Sequence, residues 1–306
     1  MDRRTFLATV AATVVVPASH ADEKFTVIDT HTHFYDPSRP EGVPWPSKDD
    51  PVLYRTILPA DYAKLKQVIP VTGTVVVEAS PLLEDNQWLL DLAAKEKFIV
   101  GIVGNLTPGS PDFAKHIKRF SMNKLYRGIR IGHGLIQKAE RKPLLADLSK
   151  LVDADLALDI NGGPTMLPDV IAVAKELPKL RIVVNHMSNV RINGKAPPKE
   201  WQTNIQRVAE LPTVFCKMSA LVEGTGHTDG KAPANVEFYQ PTLDVLWKAF
   251  GAERLMYGSN WPVSERFAPC ETVQKLVIDY CDTKEKDAKQ KVLATTSAKA
   301  YKWVQR

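Results

Sequence analysis

The stretch that decides the fold is FTVIDTHTHFYDP, residues 25–37. A short β-branched run ends there in two histidines, His31 and His33, and a proline-containing loop follows. Because successive side chains of an extended strand point to opposite faces, residues two apart point to the same side. The pattern predicts a buried strand whose last imidazoles converge on one point, where they can bind a divalent metal or a substrate oxygen.

Seven further apolar runs follow this one along the chain. Most are nearly continuous in Val, Ile and Leu, which is typical of parallel strands covered on both faces. The eight runs span residues 25–29, 72–80, 98–106, 125–131, 156–162, 181–188, 213–221 and 254–260. Amphipathic segments lie between them, among them 85–95, 112–121, 166–177, 199–210 and 241–250. Eight alternations without a break in composition predict a single-domain α/β protein, a (β/α)8 barrel of the TIM type.

Two segments stand apart from this alternation. Residues 36–60 are rich in proline and aspartate and are too long for an ordinary connection, so we expect them to fold over the barrel mouth. Residues 286–305 are predicted to form the closing helix of the barrel. Neither an internal repeat nor a low-complexity tract interrupts the order.

The first 21 residues have the pattern of a targeting segment. Arg3 and Arg4 precede an Ala/Val-rich apolar stretch that ends with small residues at Ser19 and Ala21. This order predicts an export signal cleaved after Ala21, and the adjacent arginines indicate the twin-arginine route. The mature chain, residues 22–306, would then work in the periplasm as one barrel.

The mature chain has the size and charge of a small-molecule enzyme. Removal of residues 1–21 from the 306 leaves 285, which suits one barrel of ~250 residues. It also lowers the formal net charge from +5 to +4, a mild balance that gives no reason to expect a nucleic-acid partner. No later apolar run is long enough to cross a membrane. The three cysteines, Cys216, Cys270 and Cys281, are too few for a disulfide framework.

Polar residues at the ends of the apolar runs mark the predicted site, because barrel enzymes carry their chemistry at the carboxyl ends of strands. His186 follows the sixth run, in VVNHMS. Asn260 follows the eighth, in LMYGSNWPV, residues 255–263. A third imidazole on the same rim as His31 and His33 favours a functional cluster over isolated structural histidines.

These motifs together resemble the amidohydrolase superfamily. The likeness rests on DTHTHFYDP after the first strand, a histidine after the sixth and GSNWP after the eighth, and it is strongest to the lactonase branch that includes fuconolactonase and pyrone-dicarboxylate lactonase. It implies a barrel hydrolase that opens lactones with water. His31, His33 and His186 would then polarise the carbonyl, either directly or as ligands of one divalent ion, zinc before others. Some members of the branch need no metal.

The sequence departs from the family pattern at Asn260. The corresponding residue is usually an aspartate that deprotonates the attacking water, whereas an amide has no basicity at neutral pH. We therefore expect Asn260 to orient water or a substrate oxygen, and the base to lie elsewhere. Glu78, at the end of the second run, is ranked first, ahead of Asp159 and His186. For either acid, pairing with a basic side chain is an equally weighted alternative.

Other side chains at the mouth suit contact with a substrate. Arg130 can clamp a carboxylate or ring oxygen with two hydrogen bonds, or pair with Glu78 or Asp159. Trp261 offers a flat face on which a sugar can rest. The predicted substrate contacts are Asn260, Arg130, Lys217, Ser219, Trp261 and His133.

The favoured function is hydrolysis of a small cyclic ester, with a sugar or sugar-acid lactone as the expected substrate. Two alternatives stay open. The same barrel could isomerise a lactone or carry out a metal-dependent decarboxylation, and a non-catalytic sugar-binding protein would also tolerate Asn260. The sequence leaves the oligomeric state open.

Overall fold

A computed structural model describes residues 25–306, so the predicted export signal lies outside the described residues. Eight parallel strands form one sheet in sequence order, each paired with the next. They are β1 Ile28–Thr32, β2 Gly73–Val77, β3 Ile99–Gly104, β4 Tyr126–Gly132, β5 Ala157–Asn161, β6 Ile182–Val184, β7 Val214–Met218 and β8 Leu255–Tyr257. Six of the predicted apolar runs contain a whole strand, the fourth lacks only Gly132 of β4, and the first contains only the start of β1. The predicted (β/α)8 barrel is confirmed.

The barrel closes between β8 and β1 without a regular ladder. A single parallel bridge joins Thr32 to Trp261, whose carbonyl accepts a 2.9 Å hydrogen bond from the backbone N–H of His33. At Gly258 a Cβ atom would lie 2.8 Å from the Cβ of His31, so only glycine lets the two strands approach this closely. This seam places the ends of the first and last strands side by side.

Helices cover the outside of the barrel. They are α1 Pro59–Tyr62, α2 Asp85–Lys95, α3 Phe113–Ser121, α4 His133–Lys138, α5 Arg141–Asp153, α6 Leu167–Glu176, α7 Lys199–Ala209, α8 Leu221–Thr225, α9 Gln240–Phe250, α10 Cys270–Asp282, α11 Ala288–Gln290 and α12 Thr296–Tyr301. The five predicted amphipathic segments match α2, α3, α6, α7 and α9. The predicted closing helix is interrupted, because a π-helical turn at Lys291–Thr295 separates α11 from α12. None of the helices within residues 25–306 is both long and apolar enough to cross a bilayer.

The core has two layers. The larger lies between the strands and the outer helices, and the smaller fills the barrel interior. Inward-facing residues such as Val75, Val183 and Met256 pack there against Ala300 and Tyr301 of α12. The C-terminal helix therefore closes one end of the barrel and leaves the carboxyl ends of the strands for a site.

The long segment after β1 lies over that open end, as predicted. Its Trp45 lines the cavity at the mouth and packs edge-on against His33, with ring centroids 5.8 Å apart. Tyr35 and Ile57 hold the base of the segment by two backbone hydrogen bonds of 3.0 and 2.9 Å. All three cysteines are buried and free, and two of them, Cys270 and Cys281, lie on α10.

Candidate active site

The carboxyl ends of the strands surround a cavity of about 560 Å³. Its wall combines two imidazoles, an ion pair, a carboxylate and an amide, contributed by His33, His186, Glu78, Arg130, Glu223 and Asn260. Three further amide side chains line it, those of Asn105, Asn161 and Asn189. Such a wall offers many hydrogen-bond donors and acceptors to a small polar ligand.

The three predicted histidines form one cluster, in which His33 and His186 line the cavity and His31 is fully buried behind them. The ring centroids of His31 and His33 are 5.0 Å apart, and those of His31 and His186 are 4.3 Å apart. Burial, together with the positive charge of Lys217, lowers the pKa of His31 and of His186 well below the usual value. Burial and the charge of Arg130 lower the pKa of His33 to about 3. The cluster is therefore uncharged at neutral pH.

A buried ion pair lies beside His31. The Nζ atom of Lys217 donates a 2.8 Å hydrogen bond to Oδ2 of Asp159 and lies 3.1 Å from Nδ1 of His31. Tyr301 donates to the two oxygens of Asp159, at 2.8 and 2.9 Å. Burial lowers the pKa of Lys217, whereas the charge of Asp159 opposes that shift. Neither side chain lines the cavity. Asp159 and Lys217 lie paired with each other inside the barrel and not at the mouth where we expected them, and the roles predicted for them in catalysis and substrate binding stay predictions.

This pair determines which nitrogen of His31 carries the hydrogen. An ammonium group only donates hydrogen bonds, so Nδ1 of His31 accepts from Lys217 and Nε2 is protonated. That Nε2 is buried without a hydrogen-bond partner among the described residues. His33 has the opposite arrangement, because its Nδ1 donates to the carbonyl of Val77 at 3.0 Å and leaves Nε2 as an acceptor. The cluster thus holds one donor on the buried His31 and one acceptor on His33, which lines the cavity.

The predicted ligand set does not fit a divalent metal in this hydrogen-bonded arrangement. Nε2 of His31 carries a hydrogen, and the nearby charges of Lys217 and Arg130 would repel a cation. Position 260 supplies a weak amide ligand in place of a carboxylate. Within residues 25–306, no group of three or more His, Cys, Asp or Glu side chains is arranged to hold a metal ion.

Arg130 and Glu78 form the ion pair of the cavity wall. Nε of Arg130 donates to Oε1 of Glu78 at 2.8 Å, and Nη2 donates to the Glu78 backbone carbonyl at 2.8 Å. This is the pairing that the sequence offered as the alternative to a substrate clamp. Both side chains still line the cavity, and three N–H groups of the guanidinium remain for a ligand.

Asn260 forms a second polar pair, with a residue that the sequence analysis missed. Its Nδ2 donates a 2.8 Å hydrogen bond to Oε1 of Glu223. The other carboxylate oxygen, Oε2, is buried and has no hydrogen-bond partner in the described part of the chain. Burial raises the pKa of Glu223 to about 7, although the hydrogen bond from Asn260 opposes the shift. The available signal was an acid four residues after Ser219, in SALVEGTG, just beyond the seventh strand.

Left-handed backbone turns position the residues at the mouth. His186, Ala220 and Asn260 follow β6, β7 and β8 closely and have φ values of 52°, 53° and 58°. Asparagine adopts this region more readily than most residues, which favours it at position 260. The turn at Ala220 leads directly into α8, which brings Glu223 back to the mouth. Backbone conformations of this type cluster at functional sites.

Three predicted substrate contacts lie outside the cavity wall. Ser219 is within 2.8 Å of Nδ1 of His186 and therefore orients that imidazole. Trp261 is almost fully buried, and its indole N–H donates to Glu265 at 2.6 Å. His133 begins α4 and pairs with Asp169 at 2.7 Å. The contacts of Ser219, Trp261 and His133 with substrate stay predictions, and the aromatic side chains of the cavity wall are those of Trp45 and Phe267.

Comparisons with known proteins agree with this architecture. The sequence pattern of the amidohydrolase family matches residues 28–303. An L-fucono-1,5-lactonase from Burkholderia ambifaria is 33% identical over 245 residues, which cover 78% of this chain and 80% of that protein. An L-fucono-1,5-lactonase from Burkholderia multivorans is 27% identical over 285 residues, which cover 90% of this chain and 95% of that one. A crystal structure of a B. multivorans amidohydrolase with bound zinc superimposes with a TM-score of 0.78 at 24% identity, covering 91% of this chain and 99% of that chain.

The chain therefore belongs to the amidohydrolase family, and it is a hydrolase. Within the family it belongs to the lactonase branch that the sequence motifs indicated.

Proposed function

We propose that the protein opens a small lactone of a sugar or sugar acid by hydrolysis. The observation that carries this proposal is the buried Nε2–H of His31, which has no partner among the described residues and lies below a cavity walled by amides and an ion pair. The hydroxyl groups of a sugar both donate and accept, which suits such a wall. The fuconolactonase relatives support the same substrate class.

In this proposal the lactone carbonyl binds at the imidazole cluster. The Nε2–H of His31 donates to the carbonyl oxygen, and Lys217 holds His31 in the required tautomer. Negative charge develops on that oxygen as water attacks. Fixed donors and the nearby positive charges of Lys217 and Arg130 would stabilise it, which is usually the largest contribution to catalysis of acyl transfer.

We further propose that this reaction needs no bound metal. The donor set argues for this, since His31 already uses Nδ1 as an acceptor and keeps a hydrogen on Nε2. Zinc in a structural relative does not alter the argument, because at 24% identity that likeness concerns the fold alone.

The direct test is proton release from a panel of aldono- and uronolactones, using residues 22–306. Turnover by the wild type, lost in His31→Ala and kept in His116→Ala on α3, would support hydrolysis at this site. Lactones that raise the melting temperature without turnover would instead favour a binding protein or an isomerase. No turnover and no thermal shift would refute the proposed substrate class.

We also propose that the chain is exported through residues 1–21, which lie outside the described residues. The adjacent Arg3 and Arg4 support the twin-arginine route. Replacing both by lysine should keep the protein in the cytoplasm in its unprocessed form, as measured by fractionation and intact mass. Normal export of that variant would contradict the route.

A further inference from the structure

The carboxylate needed to activate water is not on the eighth strand of this protein. Asn260 has no basicity, yet its amide donates to the carboxylate of Glu223, which stands on α8 after the neighbouring strand β7. An amide and a carboxylate thus lie 2.8 Å apart at the mouth. Both line the same cavity as His33 and His186.

We infer that Glu223 is the general base of this enzyme, displaced from the eighth strand and held in place by Asn260. The inference rests on the proposed lactone hydrolysis. One oxygen, Oε1, is fixed by the amide of Asn260, and the other, Oε2, has no protein partner in residues 25–306. A buried carboxylate oxygen without a donor is a site at which a water molecule gains a strong hydrogen bond.

The step balances with water as the only co-reactant. Glu223 takes one proton from the water as the oxygen of that water forms a bond to the lactone carbonyl carbon. The bond between that carbon and the ring oxygen then breaks, and the proton on Glu223 passes to the departing alkoxide oxygen. That transfer leaves Glu223 ionised again, and the product is the open hydroxy acid, whose new carboxyl group then loses the second proton of the water to solvent.

The two other candidate carboxylates, those of Glu78 and Asp159, already accept hydrogen bonds from other side chains. Glu78 is bound to Arg130 through both its carboxylate and its backbone carbonyl. Asp159 is held by Lys217 and by Tyr301 away from the cavity. Carboxylate oxygens that already accept hydrogen bonds from a cation or a hydroxyl have fewer free lone pairs to bind the attacking water.

Glu223 differs from these acids in having no salt bridge within the described residues. The charged groups that line the same cavity have partners of their own, Arg130 with Glu78 and Arg266 with Asp50. The two imidazoles of the wall, His33 and His186, are neutral at physiological pH. The pKa of Glu223, raised to about 7 by burial, makes it a stronger base than an ordinary carboxylate near neutral pH.

The test exchanges the carboxylate at position 223 and the amide at position 260. Glu223→Gln keeps the shape and the acceptor for Asn260 but removes the base, so we expect kcat to fall by about 10²–10⁴-fold with little change in KM. Glu237→Gln, which changes an exposed carboxylate, should behave as wild type. The double variant Glu223→Gln/Asn260→Asp places a carboxylate after the eighth strand. We expect its kcat to be at least tenfold higher than that of Glu223→Gln.

The pH profile separates a base from a structural residue. We expect kcat/KM of the wild type to rise with pH up to a plateau above about 7, since the carboxyl must lose its proton first. Activity of Glu223→Gln within threefold of wild type would overturn the inference while leaving hydrolysis intact. So would an acidic limb that disappears in Glu78→Gln and persists in Glu223→Gln. Wild-type protein that hydrolyses no lactone would instead refute the proposed function.

If Glu223→Gln does not fold, the single variant Asn260→Asp tests the same point. It places a second carboxyl within hydrogen-bond distance of Glu223, and two carboxyls so close share one proton and titrate as a pair. We expect the acidic limb of kcat/KM to shift by one unit or more. An unchanged limb would mean that Glu223 takes no part in the titration that controls the rate.

Discussion

Oε2 of Glu223 is buried without a hydrogen-bond partner among the described residues, and this placement affects the stability of the fold as well as the chemistry of the site. In the unfolded chain the group titrates near 4.5, whereas burial raises the folded-state pKa to about 7. Between these values the folded protein binds more protons than the unfolded chain. The free energy of unfolding therefore decreases as the pH rises from 4.5 to 7, and the lost stability is not regained above 7.

Glu223→Gln should remove this loss. We expect the variant to be more stable than wild type at pH 8, and its advantage to grow by about 2 kcal/mol between pH 5 and pH 8. Urea denaturation at the two pH values measures the difference, with Glu237→Gln as the matched control. A difference that is the same at both pH values would contradict a raised pKa at Glu223. A functional carboxyl that costs stability is the expected pattern for a base poised near neutrality.

Single residues at the site were predicted to different degrees. His31, His33 and Asn260 could be found because they follow apolar runs directly, and Arg130 because it closes a strand. Glu223 could not be found in this way, since it reaches the mouth only through the left-handed turn at Ala220 and the short α8. Local composition carries little information about such a turn.

At the scale of elements, the seam between β8 and β1 sets the geometry of the imidazole cluster. Gly258 lies at the closest approach, where an added Cβ would meet the Cβ of His31 at 2.8 Å and Cβ of Ser219 at 3.3 Å. Ser219 in turn contacts His186. A side chain at Gly258 would therefore displace His31 on β1 and Ser219, which contacts His186.

We expect Gly258→Ala to destabilise the protein by about 1–3 kcal/mol and to lower kcat at least tenfold, because the crowding falls on His31. Gly134→Ala on α4 is the matched control. Its added methyl group would meet nothing within 4 Å, and alanine is the better helix former, so this variant should be neutral or slightly stabilised. Thermal unfolding and lactone turnover measure both effects. Wild-type behaviour of Gly258→Ala would mean that the seam is more compliant than its contacts indicate.

The elements themselves could largely be read from the sequence, because parallel strands covered on both faces form near-continuous apolar runs. The first strand was placed too early. The run 25–29 is apolar, but the pairing with β2 extends through Thr32 and so includes His31. The π-helical turn between α11 and α12 left no mark in the amphipathic pattern, since packing against the barrel, rather than local propensity, determines it.

At the scale of the whole molecule, a line of hydrogen bonds crosses the barrel interior. It runs from Tyr301 on the C-terminal helix to Asp159 on β5, then to Lys217 on β7 and His31 on β1. The closed end of the barrel is thereby connected to the site. Neither the hydrophobic periodicity nor any motif of the sequence predicts this line of hydrogen bonds, because only the closure of the barrel brings its four residues together.

One consequence concerns metal dependence. Since Lys217 keeps Nδ1 of His31 as an acceptor and adds positive charge, we expect dialysis against a chelator to leave kcat unchanged. Added Zn²⁺ should not raise it either. Metal analysis of the dialysed protein, measured beside turnover of a hydrolysed lactone, checks this. Activity that is lost with the metal and restored by zinc would show that the donor set rearranges to bind it.

A second consequence concerns the buried charges. Lys217→Met leaves the buried carboxyl of Asp159 without its cation, and we expect a loss of about 3–5 kcal/mol in the free energy of unfolding. The double variant Lys217→Met/Asp159→Asn carries no buried charge at these positions and should be less destabilised than the single one. Lys275→Met breaks an exposed pair with Asp279 and should cost less than about 1 kcal/mol. Urea denaturation of the set forms a double-mutant cycle. A double variant as unstable as Lys217→Met would show that packing, rather than the unpaired carboxyl of Asp159, causes the loss.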